Sequence, residues 1–173
     1  MQTEARISAA QGAVVGLLAP IYQSRYEVAV VVFQDEEART VLPASRSVAR
    51  ARTVLKNLWI GGATPLAQGL LEARRVARTV RAKASGVEAL LVLLSDGESN
   101  VPLERGGNIG RELDEITNVL QAERIRVLAV DSGAGREGQR ILRRIAEGTG
   151  GNYLRLERMR AEGVYKAVMH AIR

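Results

Sequence analysis

The residues able to do chemistry gather in three polar connectors: Gly61 to Pro65, Ser95 to Asn100 and Asp131 to Gly135. Two side chains stand out there, the Thr64 hydroxyl and the Asp96 carboxylate. Both are hard oxygen donors of the kind that suits Mg²⁺. Two protein oxygens out of about six positions describe a weak site, completed by water and a further ligand. The same residues also fit a purely structural role, with Thr64 capping a helix that opens at Pro65 and Asp96 shaping a turn before Gly97. The residue types leave both roles open.

Other chemistries lack their residues. Gly61-Gly62-Ala63-Thr64 has no lysine for a phosphate-cradling loop. A Gly-x-Gly-x-x-Gly nucleotide loop after a strand is not expected, and the Gly-x-Ser-x-Gly elbow of hydrolases is absent. Cysteine is absent and the single histidine, His170, falls in the last helix, far in sequence from the strand ends. Acyl-transfer triads are therefore excluded. Asp96 and Glu98 flank Gly97, but no second acid is placed by sequence to share a reaction centre, so an acid–base pair has weak support. The connectors read as a binding site, not a catalytic one.

Three runs of apolar, mostly β-branched or leucine residues must position these connectors: Val28 to Phe33, Ala89 to Leu94 and Arg126 to Val130. Each reads as a strand covered on both faces. A short strand over Ala38 to Leu42, after the acidic turn Asp35-Glu36-Glu37, reads as an antiparallel edge partner. Helical periodicity appears over residues 8–19 (ended by Pro20), from Ser47 through Leu58, from Leu66 through Val80, near 111–122, around Ile141 to Ala146, and through Val164 to Ala171. Ser47 reads as an N-cap. Arg74, Arg75, Arg78 and Arg81 read as a solvated face. Asn152 to Leu156 is a last strand. Strands alternating with helices predict one α/β domain over residues 1–173, a mostly parallel, doubly wound sheet with helices on both faces. Ligands bind such sheets beyond the carboxyl ends of the strands, where the polar connectors fall.

With 173 residues, 46% apolar and 25% charged, the chain can bury a core without disulfides. Its net charge of +6 raises nucleic acid as a partner. However, 22 of the 25 basic residues are arginines spread along the chain, interleaved with glutamate, and aromatic residues for base stacking are only 3%. No nucleic acid is expected. The run Ala89 to Leu94 is far shorter than the about 20 residues of a membrane span. Met1 to Arg6 lacks the basic start and apolar core of a signal peptide, so no membrane contact and a cytoplasmic location are expected.

The stretch Gly61-Gly62-Ala63-Thr64-Pro65-Leu66-Ala67 resembles the Gly-Gly-x-Thr-Pro-Leu-Ala segment of von Willebrand factor A-type domains in magnesium chelatase D subunits and cobaltochelatase relatives. Leu42 to Val48, Leu93 to Asn100 and Gly150 to Leu156 resemble further segments of that family, in the family's order. The resemblance implies a three-layer fold with a metal-ion-dependent adhesion site. Thr64 takes the place of its second-loop threonine and Asp96 that of its third-loop aspartate. The family's first-loop Asp-x-Ser-x-Ser and the central strand before it have no counterpart here, and Met1 falls about where the family continues after that loop. A natural product longer at its N-terminus is the corresponding expectation. The resemblance further implies a non-catalytic module of an ATP-dependent complex inserting Mg²⁺ into protoporphyrin IX or a related tetrapyrrole. Bound Mg²⁺ would meet an acidic residue of a partner, such as an ATPase-ring subunit. A free-standing module of the same fold unrelated to tetrapyrroles, and a nucleic-acid-binding α/β protein, are the alternatives.

Overall fold

Val28–Gln34 (β1) and Glu37–Ser45 (β2) form an antiparallel hairpin, Gln34 facing Glu37 across a two-residue turn. Asp35 in that turn has a φ of 57°, a left-handed conformation that Asp tolerates better than most residues. The second strand is longer than its apolar core suggests, because Glu37 at its start and Pro43 to Ser45 at its end continue the pairing. In this computed structural model, residues 12, 15–16, 26–57, 62–133, 135–155 and 161–172 are described, the side chains of 161–165 and 172 excepted. The helix expected over 8–19 lies outside the described residues apart from Gly12, Val15 and Gly16, as do Leu58, Gly61 and Leu156.

Helix α1 (Val48–Lys56) opens as expected at Ser47, whose hydroxyl accepts the Arg50 N–H at 3.3 Å, and it buries Ala51 and Leu55 against Leu42. Helix α2 (Leu66–Lys83) follows, burying Leu66, Ala67 and Leu70. It lies flush on β1 because residue 69 is glycine: a Cβ there would stand 2.6 Å from the Phe33 ring.

Leu90–Ser95 (β3), Arg126–Asp131 (β4) and Asn152–Arg155 (β5) form a parallel sheet in the order β3-β4-β5. Helices α3 (Ile109–Ala122) and α4 (Arg136–Gly148) make the crossovers, and α5 (Ala161–Ile172) closes the chain. The core joins Leu113, Ile116 and Leu120 of α3 with Leu142 and Ile145 of α4 and Val127 and Ala129 of β4. On the other face Leu128 and Val130 pack with Val168 of α5. Each such leucine, isoleucine or valine removed from water contributes about 1.5–3 kcal/mol.

The α/β class, with parallel strands and helices packed on the sheet, is as expected. Two details differ: among the described residues the strands pair as two separate sheets, β1 only with β2 and β3 only with β4. One backbone edge of β1 and one of β3 therefore lack a strand partner among those residues. Accordingly β1 is half-buried throughout and Val92, mid-strand in β3, is 38% exposed, whereas β4, flanked on both sides, is almost wholly buried. Likewise, the arginines of α2 are not merely a solvated face. Arg74 grips the Glu123 carboxylate, its Nε at 3.0 Å, and Arg81 donates to the carbonyls of Val87, Glu123 and Arg124. Together they clasp α2 to the turn between α3 and β4. No helix among the described residues is long and apolar enough to cross a membrane.

Candidate metal-binding loops

Strand β3 ends at Ser95, which faces Asp131 at the end of β4, and the Ser132 N–H reaches the Ser95 carbonyl at 3.0 Å. The carboxyl ends of the two strands thus stand side by side. Asp96 follows directly. Its Oδ1 accepts the Glu98 N–H at 3.1 Å, and the Ser95 hydroxyl accepts the Gly97 N–H at 3.0 Å. Gly97 has a φ of 74°, and a Cβ on it would meet the Gly138 carbonyl oxygen at 2.3 Å. A side chain there is excluded twice, by conformation and by space. This contact sets the Asp96 loop against the first turn of α4.

Thr64 reaches the same region from the loop before α2. Its N–H donates to Asn100 Oδ1 at 2.7 Å, and the Asn100 N–H donates to the Thr64 carbonyl at 3.3 Å. This two-way clamp ties the Thr64 loop to the loop that carries Asp96. Sequence reasoning quoted Asn100 as part of a motif but gave it no role; only the fold reveals a partner 36 residues away. The capping role considered for Thr64 is not the one it adopts. Pro65 occupies the N-cap position of α2, and no side chain caps that helix end. The turn-shaping role of Asp96 is realised through one of its two oxygens.

The donors near this clamp are hard oxygens: the Thr64 hydroxyl, the Asp96 carboxylate and Ser99 Oγ, which is buried without a hydrogen-bond partner. Their chemistry fits Mg²⁺. Among the described residues no group of three or more His, Cys, Asp or Glu side chains could hold an ion, so a cation here depends on hydroxyls and water. His170 is exposed on α5.

A Gly-x-Gly-x-x-Gly run does follow a strand, contrary to expectation: Gly133 to Gly138 links β4 to α4. The surroundings argue against a pyrophosphate. The Gly133 N–H is taken by Asp131 Oδ1 at 2.8 Å, and Asp131, fully buried, places a carboxylate under the loop. Gly138 instead provides the close approach to Gly97.

That buried Asp131 was also missed. Its Oδ2 accepts the Tyr153 hydroxyl and lies 3.8 Å from Arg155 Nε, while Gln139 Nε2 donates to the Tyr153 oxygen at 3.2 Å. Burial, with the Asp131 carboxylate beside it, raises the Tyr153 pKa above its ordinary value. The signal was present in sequence: Asp131-Ser132-Gly133 ends its strand as Ser95-Asp96-Gly97 ends β3.

The von Willebrand factor type A domain model matches residues 4–167, and the chain belongs to that family. It is similar to the magnesium-chelatase 67 kDa subunit of Chlorobaculum tepidum, at 30% identity over 95% of this chain and 28% of that protein. The chain thus spans 28% of that relative's length. Among solved structures, the fold resembles an aerotolerance-related membrane protein from Bacteroides fragilis (TM-score 0.75, 19% identity, 96% of this chain and 87% of that one). It also resembles a von Willebrand factor type A protein from Catenulispora acidiphila (TM-score 0.67, 21% identity, 95% and 37%).

Proposed function

We propose that this domain is a non-catalytic interaction module of a magnesium-chelatase-type metal-insertion assembly, and that Thr64 and Asp96 form its contact point. The observation that carries this reading is the Asn100 clamp, which holds the Thr64 loop against the Asp96 loop at the carboxyl end of the sheet. Kinship with a magnesium-chelatase subunit supports the kind of assembly. The Thr64 hydroxyl and an Asp96 carboxylate oxygen would hold Mg²⁺, directly or through water. The bound ion would supply a hard positive charge whose remaining positions suit a carboxylate. This chain's part is to orient those oxygens: the Asx turn at Asp96 and the clamp at Thr64 do so without the ion. The partner would be an ATPase-ring subunit presenting an acidic residue, acting in insertion of Mg²⁺ into protoporphyrin IX or a related tetrapyrrole.

Calorimetry with MgCl₂ tests the site, and capture of the ATPase-ring subunit tests the role. Weak Mg²⁺ binding lost in Asp96→Ala and reduced in Thr64→Ala is expected, with capture depending on Mg²⁺. Tight binding that survives Asp96→Ala, or capture indifferent to both metal and variant, would overturn the assignment.

A further inference from the structure

We propose that the arginine-lined face of α4 is a docking groove for an extended acidic segment of a partner protein, entered from the Asp96 loop. It rests on the metal-mediated reading above for its entry point, but on separate residues for its affinity.

Arg136, Gln139, Arg140, Arg143, Arg144 and Glu147 line one side of α4, at spacings of three and four that place them on one helical face. All four arginines are exposed. Arg140 leans on Glu137 and Arg144 on Asp114, but these pairs are open to water, with arginine side chains 75% and 66% exposed. Exposed pairs of this kind contribute only about 0.2–1 kcal/mol, so an arriving carboxylate can exchange with them. Arg136 has no ion pair among the described residues. Arg143 lies over the Tyr153 ring, 4.4 Å from its centre. The ring contact restrains that guanidinium, whose remaining N–H donors suit a carboxylate.

The first turn of α4 opens with Arg136. The turn abuts the Asp96 loop through the Gly97–Gly138 contact. A partner carboxylate at the Thr64–Asp96 loops therefore has its neighbours directed onto Arg136. From Arg136 to Arg144 the helix rises about 12 Å, which about four extended residues span. Nucleic acid suits this face poorly. Its one aromatic ring, Tyr153, is already covered by Arg143, so no stacking platform is left.

The test is fluorescence anisotropy of a fluorescein-labelled hexaglutamate peptide with the full chain, with and without MgCl₂. Binding should weaken steeply with salt and fall about tenfold or more in Arg136→Glu/Arg143→Glu. It should fall measurably in the milder Arg136→Gln/Arg140→Gln, which leaves the Tyr153 stack intact. Arg50→Glu/Arg52→Glu, the same charge change on exposed positions of α1, should alter it less than about twofold. Equal loss in the α1 variant, or no loss in either groove variant, would overturn the groove. So would tighter binding of labelled oligothymidylate, or displacement of the peptide by NAD⁺. Asp96→Ala separates the two proposals: the groove effect should persist in that background even if Mg²⁺ proves irrelevant.

Discussion

At the scale of single residues, the Asp96 loop is held by a glycine with no room beside it. Gly97→Ala would need a positive φ and would drive a methyl into the Gly138 carbonyl. A loss of at least about 1–3 kcal/mol is expected, read as a lowered denaturation midpoint, together with weaker Mg²⁺ binding in calorimetry. An unchanged midpoint would mean that the loop relaxes freely. Tyr153→Phe makes the complementary test on Asp131, leaving a fully buried carboxylate short of one donor. About 1–3 kcal/mol of stability should be lost in urea titration. Thr64 and Asp96 stood out in the sequence as hard oxygen donors in polar connectors, and only the family resemblance favoured a metal role over a structural one. Asn100 did not, since its meaning lies in a partner 36 residues distant; Asp131 carried a strand-end signal, but its partner Tyr153, 22 residues on, did not show in the sequence. The glycine run at 133–138 was overlooked, and its meaning too is set by what lies beneath it.

Between elements, ties of mixed polarity do the positioning. Glu72 of α2 accepts the Thr40 hydroxyl of β2 at 2.5 Å and is gripped at 2.7 Å by Arg75. The Arg75 hydrogen bond, aided by Thr40 and opposed by desolvation, lowers its pKa from 4.5 to about 2. A depressed carboxylate pKa contributes stability that is complete above the unfolded value and lost as protons bind the native state. This tie should therefore weaken as pH falls from about 4.5 towards 2. Glu72→Gln should cost about 1 kcal/mol at neutral pH and flatten the acid limb of a thermal-stability profile; an unaltered limb would remove Glu72 from the account. Periodicity located the helices and parallel strands because their cores are contiguous in sequence. It could not tell a solvated arginine from one that clasps a distant turn, as Arg74 and Arg81 do, because both read as charge on a polar helix face.

For the whole molecule, the expectation of an absent central strand meets a sheet in two parts. An apolar, β-branched strand supplied to the open edges of β1 and β3 would find backbone partners on both sides. Fusing such a strand upstream should raise the melting temperature by several degrees, each kcal/mol being worth about 2–4 °C at this size. No shift would show that the edges do not accept it. The division also shapes how the protein breathes. Strand β4 is paired on both sides and buried, whereas β1 and β2 meet the rest chiefly through α1 and α2. Under native conditions the amide protons of β1 and β2 should exchange through a partial opening that leaves β3-β4-β5 intact, while those of β4 should wait for global unfolding. The hairpin, whose Asp35 abuts Gly62 beside the Thr64 loop, would then act as a separately melting unit, able to open and reclose while α4 stays folded.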